Sequence, residues 1–240
     1  MTYAIQWVRS LIFNGLMYLA MPIVGLVYLP WAIASPKGAI AACHIYSDIV
    51  LWLARWVIGL RVEFRGTPPT GEVVVAAKHQ SFLDVLAIYS AIPRGKFIMK
   101  SILKYAPVIG WFGLRIGCVP VDRGRRGAAI TKMLADVKAG AALPGQLIIY
   151  PQGTRVAPGD YKPYKKGTGA LYQEIGQPCV PVATNIGMFW PKRGVYRRPG
   201  TAVVEFLDPI EPGLTAREFM DKLEVMIETH SNALNAEAKG

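Results

Sequence analysis

The stretch from Ser10 to Pro36 contains no charged residue, and this feature constrains the fold more than any other. A helix needs about 20 apolar residues to cross a bilayer, so the stretch is long enough to span one. A second apolar stretch, from Gly38 to Leu60, carries Trp52 and Trp56, and tryptophan favours the level of the lipid headgroups. The sequence therefore predicts an apolar, membrane-associated pair of helices over residues 1–60.

Three arrangements of this helical pair fit the sequence. The helices form a hairpin that enters one leaflet, or the first helix spans the bilayer, because both arrangements need the same composition. The third alternative is a pair that only covers the core of a globular domain, although apolar surface of this extent is rarely exposed without a function. The break between the two helices is expected at residues 35–38, where Ser, Pro, Lys and Gly follow one another.

The charge of the chain also indicates a membrane. The formal net charge is +11 and 52% of the residues are hydrophobic. A basic excess suits a polyanion, and together with the apolar excess it favours an anionic bilayer over nucleic acid. Cys43, Cys118 and Cys179 are widely spaced, which predicts reduced thiols and neither a disulfide framework nor a structural zinc site. We therefore expect a protein at the cytoplasmic face of the inner (cell) membrane, with anionic lipid headgroups as a partner and no nucleic acid.

Beyond the helical pair, short apolar runs alternate with helical patterns, which predicts an α/β fold. Strands are expected at residues 61–66, 73–77, 96–100, 118–121, 146–150, 180–186 and 202–207. Helices are expected from Val85, across Ile130 to Val137, up to about Gly176, and from Leu214 to Leu234. The predicted fold class is α/β, a central mixed sheet flanked by helices, in one domain of residues 61–240.

The segment Lys78–Asp84 forms a turn between the strand at 73–77 and the following helix. Ser81 and Asp84 have the spacing of a capping box. His79 precedes the helix, so the turn brings the Asp84 carboxylate within reach of one imidazole nitrogen. Such a contact fixes the tautomer and leaves the other nitrogen free as a base. The alternative, from these residues alone, is that Asp84 only caps a helix and His79 is an ordinary loop histidine.

The sequence His79-Gln-Ser-x-x-Asp84 resembles the His-x4-Asp signature of the glycerolipid acyltransferases, and specifically of the 1-acyl-glycerol-3-phosphate (lysophosphatidic acid) acyltransferase family. Three further blocks follow in the family's order: Gly117–Arg123, Tyr150–Arg155 and Val180–Ala183. The third block departs from the usual Phe-Pro-Glu-Gly-Thr-Arg, because Gln152 stands in place of the glutamate. Four ordered blocks are far more specific than one motif.

The resemblance implies an acyltransferase catalytic domain at residues 61–240. It implies transfer of a fatty acyl group from an acyl thioester, carried by coenzyme A or acyl carrier protein, to the free hydroxyl of lysophosphatidate. The product is phosphatidate, made in phospholipid synthesis. His79 is then the general base and Asp84 its orienting carboxylate. The third block is implied to bind the acceptor's glycerol phosphate, because guanidinium forks and backbone N–H groups suit phosphate. The predicted phosphate-binding residues are Gly153, Thr154, Arg155, Arg123 and Lys100.

Other sites are not indicated by the sequence. It contains no Gly-x-Ser-x-Gly elbow, no His-x-x-x-His, no P-loop and no Gly-x-Gly-x-x-Gly, so we expect no metal and no cofactor besides the thioester co-substrate. Two alternatives to lysophosphatidate acylation remain. One keeps the chemistry and changes the acceptor to another lyso-lipid or glycerol 3-phosphate. The other is a non-catalytic, basic protein that binds a membrane surface.

Overall fold

The computed structural model describes residues 2–121 and 144–239, together with the single positions 128, 131 and 135. The helix predicted across Ile130 to Val137 and the predicted phosphate-binding residue Arg123 lie outside the described residues.

The predicted N-terminal helical pair is present. Helix α1 (Tyr3–Ala34) and helix α2 (Pro36–Leu53) are joined by Ser35, whose side chain accepts a hydrogen bond from the backbone N–H of Lys37 at 3.2 Å. Proline fits the first position of α2 because the N–H that it lacks has no helical partner there. The helices cross closely at Gly38, where a Cβ atom would lie 2.5 Å from the backbone of Trp31. A π-helical turn (Ala54–Ile58) follows α2.

The sheet of the described residues has seven strands in the order β1-β7-β6-β2-β5-β3-β4. Their bounds are β1 Leu60–Arg65, β2 Val74–Ala77, β3 Gly95–Lys100, β4 Val119–Val121, β5 Gln146–Ile149, β6 Cys179–Thr184 and β7 Gly200–Phe206. Neighbouring strands are parallel except β6 and β7, which are antiparallel. The predicted mixed sheet is therefore confirmed.

Within residues 2–121 and 144–239, the other helices flank this sheet. They are α3 (Leu83–Ala91), α4 (Ile109–Arg115), α5 (Gly167–Ile175) and α6 (Ala216–Glu237), with 3₁₀ turns at Ser101–Tyr105 and Ile186–Met188. Helix α6 begins with a full capping box, in which Thr215 and Glu218 each bond the other's backbone N–H. Helix α4 contains the apolar run Trp111–Leu114. Its Phe112 is buried, whereas Trp111 and Leu114 are exposed.

The two faces of the sheet pack on different helices. Val75 and Ala77 of β2 face the core formed with α1, α2 and α3, whereas Val74 and Ala76 face α5 and α6. All four residues of β2 are buried, which is typical of a central parallel strand covered on both sides. The fold is thus a three-layer α/β arrangement.

Helix α1 lies along this domain and contacts it at both ends. Near its start, the Gln6 side chain donates to the backbone carbonyl of Arg197 at 2.8 Å. At its end, Arg115 of α4 donates to the carbonyl of Ala32 at 2.9 Å. Between them, Phe13 is fully buried in the same core as β2. The predicted division at residue 60 therefore separates two segments that share one hydrophobic core.

Candidate active site

Three neighbouring parallel strands end at the place where the sequence predicts the site. Strand β5 lies between β2 and β3 and is parallel to both, so the carboxyl ends of all three share one edge of the sheet. In open α/β sheets this edge is where ligands bind. Strand β2 ends at Ala77, just before the His79 turn, and β5 ends at Ile149, just before the block Tyr150–Arg155. Strand β3 ends at Lys100, so the edge brings together the three predicted parts of the site.

His79 and Asp84 make the predicted contact. The Nδ1 atom of His79 lies 3.0 Å from Oδ2 of Asp84, and the carboxylate is fully buried while the imidazole is partly exposed. The same Oδ2 accepts hydrogen bonds from the backbone N–H groups of Gln80 at 2.6 Å and Ser81 at 2.8 Å. An oxygen that already accepts from two backbone N–H groups acts as an acceptor toward Nδ1 as well, which places the hydrogen of His79 on that nitrogen. Nε2 is then the nitrogen with a free lone pair.

The local sequence explains this geometry. Asp84 accepts from the N–H of Ser81, as the predicted capping box requires, but the Ser81 hydroxyl accepts from the N–H of Leu83 at 3.2 Å and not from that of Asp84. The N-cap of α3 is Phe82, so only half of the predicted capping box forms. Helix α3 begins at Leu83, because the Asp84 carboxylate holds the preceding residues in a turn. One carboxylate oxygen therefore holds both the backbone of the turn and the imidazole, so Asp84 does more than stabilise the start of a helix.

Tyr150 is a neighbour of His79 that the sequence did not reveal as part of the site. Its ring stacks on the imidazole with centroids 4.0 Å apart and an interplanar angle of 22°. Burial raises the pKa of Tyr150 well above its usual value, and the nearby Asp84 carboxylate raises it further. The tyrosine is therefore a neutral wall that fixes the plane of the imidazole. The sequence feature that could have indicated this contact is the position of Tyr150 directly after strand β5, which is paired with β2 in the sheet.

The third block forms a tight turn at the same edge. Gly153 has a φ of +67°, a backbone conformation that favours glycine. Thr154 and Arg155 follow and face the same cavity as His79. Lys192 donates from Nζ to the backbone carbonyl of Arg155 at 2.9 Å. Lys192 is not among the residues that the sequence predicted for the site.

The glutamine that replaces the family's glutamate has a structural role. Gln152 is buried, and its side-chain amide donates to the carbonyl of Lys162 at 3.0 Å. The same segment is held a second time by Glu228, which accepts from Tyr164 at 2.9 Å and pairs with the buried Lys78 at 2.6 Å. The amide donor at position 152 thus positions the chain beside the Gly153 turn without a charge.

A cavity of about 740 Å³ begins at this site. At the strand edge its wall contains His79, Thr154, Arg155, Lys100 and Lys192. Away from this edge, apolar side chains from α1, α2, α3 and α4 form the wall, among them Val24, Leu86, Phe112 and Ile116. The arrangement combines a base, cationic groups and an apolar chamber, which suits a ligand with an anionic head and a long apolar tail.

Among the described residues, no group of three or more His, Cys, Asp or Glu side chains is placed to hold a metal ion. The other two histidines have separate roles. His44 contacts the carbonyl of Pro93 at 3.2 Å, and His230 pairs with Glu205 at 3.0 Å on the outer side of α6. Neither lines the cavity that contains His79.

Comparison with known proteins finds similarity to acyltransferases. A sequence model of the Acyltransferase family matches residues 60–185. The chain is 30% identical over 156 residues to a 1-acyl-sn-glycerol-3-phosphate acyltransferase of Pseudomonas aeruginosa, covering 64% of this chain and 61% of the relative. It is 33% identical over 203 residues to the protein of the same name from Saccharomyces cerevisiae, covering 72% and 66%.

Among solved structures, the fold matches that of the 1-acyl-sn-glycerophosphate (LPA) acyltransferase PlsC from Thermotoga maritima. The TM-score is 0.80 at 20% identity, over 95% of each chain. The chain spans about 60% of the length of the first sequence relatives that it matches, with 61%, 60% and 61% of each covered. The family match begins at β1 and ends just after β6, so it includes both the His79 turn and the Gly153 turn. On that match over more than half of its length, the chain belongs to the acyltransferase family.

Proposed function

We propose that the protein transfers a fatty acyl group from an acyl thioester to the free hydroxyl of lysophosphatidate, forming phosphatidate. The observation that carries the proposal is the oriented His79–Asp84 pair at the cationic end of a largely apolar cavity. The names of the relatives, several of which are 1-acyl-sn-glycerol-3-phosphate acyltransferases, support the choice of acceptor.

In the proposed reaction, Nε2 of His79 takes the proton of the acceptor hydroxyl. The hydroxyl oxygen attacks the thioester carbonyl carbon, and the carbon–sulfur bond breaks as the tetrahedral intermediate collapses. The imidazolium then returns the proton to the departing thiolate, so the enzyme ends unchanged. Asp84 keeps the hydrogen on Nδ1 and stabilises the imidazolium while it exists. A thioester is already activated, so no covalent acyl-enzyme is needed.

The acceptor phosphate is expected to bind at the Gly153 turn. Arg155, Lys100 and Lys192 all line the polar end of the cavity, so three cations surround the place where the acceptor hydroxyl must meet His79. A guanidinium binds phosphate through two parallel hydrogen bonds, which makes Arg155 the main ligand. Lys192 holds the backbone of Arg155 and thereby fixes the direction of its side chain.

Arg155→Ala is expected to weaken acceptor binding selectively. Loss of one charge-assisted hydrogen-bonded pair costs about 1.5–3 kcal/mol, which corresponds to a rise of about 10- to 150-fold in the KM for lysophosphatidate. The KM for the acyl donor should change little. Steady-state kinetics with each substrate varied in turn measures both constants, and Arg155→Lys provides the comparison that keeps the charge but loses the fork. An equal rise in the two constants would assign Arg155 a purely structural role.

The helical pair is proposed to hold the protein on one leaflet. Both helices are long and apolar enough to cross a membrane. However, α1 contacts the α/β domain through Gln6 at one end and Ala32 at the other. A helix that crossed the bilayer would carry the attached domain into the hydrocarbon, so we infer that α1 lies in the interface with its exposed apolar side toward lipid.

We therefore expect detergent to release the protein from membranes and high salt to leave it bound. Salt screens charges but does not weaken the burial of apolar side chains, and many large ones are exposed on α1, among them Leu26 and Val27 at about 70%. Sedimentation of washed membranes followed by immunoblotting measures the bound fraction. Recovery of the intact protein in a 1 M salt wash, at a Debye length of about 3 Å, would contradict the proposed insertion.

The donor and acceptor are tested together in one assay. Purified protein is supplied with lysophosphatidate and either acyl-coenzyme A or acyl-carrier-protein, and the lipid products are separated. Glycerol 3-phosphate and a lyso-ornithine lipid serve as competing acceptors. Phosphatidate as the dominant product supports the proposal. Preference for another acceptor would keep the chemistry and change the substrate, and no transfer to any acceptor would leave the family fold with a binding function.

A further inference from the structure

The basic loop that precedes β7 distributes its cationic side chains over three environments. Lys192 lines the catalytic cavity. Arg197 is buried, with its guanidinium 4.4 Å from the ring centroid of Trp190. Arg193 and Arg198 are exposed, and among the described residues their side chains make no hydrogen bond or ion pair. Two guanidinium groups therefore remain available to bind an anion from outside the protein.

These two arginines line one groove of about 440 Å³. Its wall also includes Trp7 of α1 and Tyr196, whose ring is held in place by stacking on Tyr3 at 4.9 Å. In the described part of the chain, this groove shares no lining residue with the catalytic cavity. It is therefore a separate surface feature, and two consecutive residues of the loop differ in position: Lys192 lines the cavity and Arg193 lines the groove.

The surroundings of the groove identify the kind of anion. On the helix that contributes Trp7, the apolar side chains of Ile5, Val8 and Ile12 are each more than half exposed. Nucleic acid or an acidic protein bound to the arginines would leave this apolar face in water. A phospholipid offers both parts, because its phosphate pairs with guanidinium groups and its acyl chains cover an apolar helix. Tryptophan and tyrosine are also the side chains that favour the headgroup level.

We propose that this groove is a binding site for the headgroup of an anionic phospholipid of the bilayer, separate from the substrate site. Arg193 and Arg198 hold the phosphate, Trp7 and Tyr196 lie at the level of the glycerol backbone, and the acyl chains run along α1. The site rests on the proposed attachment of α1 to one leaflet. It deepens that proposal, because a lipid held there fixes the protein's orientation on the membrane and so presents the cavity to the leaflet.

Vesicle binding tests the site without requiring any catalytic activity. The protein is titrated in detergent-free buffer with phosphatidylcholine vesicles that contain phosphatidylglycerol, and binding is followed by cosedimentation. Arg193→Ala combined with Arg198→Ala should weaken binding about 30-fold, because each arginine near an anionic surface contributes about fivefold. The matched control removes two exposed charges from α6, Arg217→Ala with Lys222→Ala, and should bind like the wild type. An equal loss of vesicle binding in both double variants would show an effect of net charge alone and would overturn the proposed lipid site.

A second pair of variants separates a built site from diffuse attraction. Arg193→Lys with Arg198→Lys keeps both charges but loses the guanidinium forks, so the groove predicts binding several-fold weaker than that of the wild type. Diffuse attraction predicts no change, and wild-type binding by the lysine pair would overturn the proposal. Acyl transfer to lysophosphatidate in detergent micelles is measured in parallel, and each double variant should retain it. If the wild type itself transferred no acyl group, the proposed reaction would be wrong. The vesicle measurement would still test the groove, because it does not depend on activity.

Discussion

His79→Ala should abolish acyl transfer while leaving the fold intact. General-base catalysis contributes about 10²- to 10⁴-fold, and alanine leaves no group at this position to accept the hydroxyl proton. His79 is partly exposed and its main-chain carbonyl already bonds the N–H of Val156 at 2.8 Å, so the backbone of the turn does not depend on the imidazole. The expected result is a fall in kcat of that size with an unchanged thermal unfolding midpoint.

Asp84→Asn should give a smaller loss than His79→Ala. The asparagine oxygen can still accept from the N–H groups of Gln80 and Ser81 and from His79, so the turn and the tautomer are preserved. What disappears is the negative charge that stabilises the imidazolium formed during transfer. The kcat should therefore lie between those of the wild type and His79→Ala. A rate equal to that of the wild type would remove the carboxylate charge from the mechanism.

The chain offers a matched control for both variants. His230 is also paired with a carboxylate, Glu205, at 3.0 Å, but it lies on α6 and does not line the cavity. His230→Ala removes the same side chain and the same kind of contact with a carboxylate from a place that does not line the cavity. It should retain wild-type kcat. Near-normal turnover by a folded His79→Ala protein would rule out the general-base mechanism.

The sequence predicted the parts of this site that are close together in the chain. His79 and Asp84 are five residues apart within one turn, so the strand before them and the helix after them nearly determine the contact. The order of strands and helices was likewise predictable, because buried parallel strands such as β2 give continuous apolar runs. Strand and helix limits differ from the predicted ones by only a few residues, as at β6, which ends at Thr184 and not at Ile186.

The sequence could not predict contacts that depend on how distant segments pack. The stacking of Tyr150 on His79 follows from the order of strands in the sheet, and the bond from Lys192 to Arg155 joins residues 37 positions apart. The course of α1 was open for a different reason. A spanning helix and an interfacial helix need the same apolar composition. The contacts of α1 with the α/β domain, such as those of Gln6 and Ala32, favour the interfacial one.

Filling the apolar end of the cavity should change which acyl donors are used. Gly113 of α4 lines this end, and a Cβ atom there would meet Met99 and Cys118, two other lining residues, at ordinary contact distances of 3.6 and 3.9 Å. Leucine at this position would therefore extend into the apolar end of the cavity, where we propose that the acyl chain of the donor binds. If it displaces about four methylene groups of a long chain, at about 0.8 kcal/mol each, the loss is about 3 kcal/mol.

The Gly113→Leu protein should accordingly lose about 200-fold in kcat/KM with long-chain donors and little with donors too short to reach α4. The competition between a long and a short donor in one reaction measures this ratio directly. Gly15→Leu is the matched control, because Gly15 is an exposed helical glycine whose Cβ would meet no atom within 4 Å. Retained activity with short donors shows that the variant is folded. An equal loss for both donor lengths would mean that the acyl chain does not occupy this cavity.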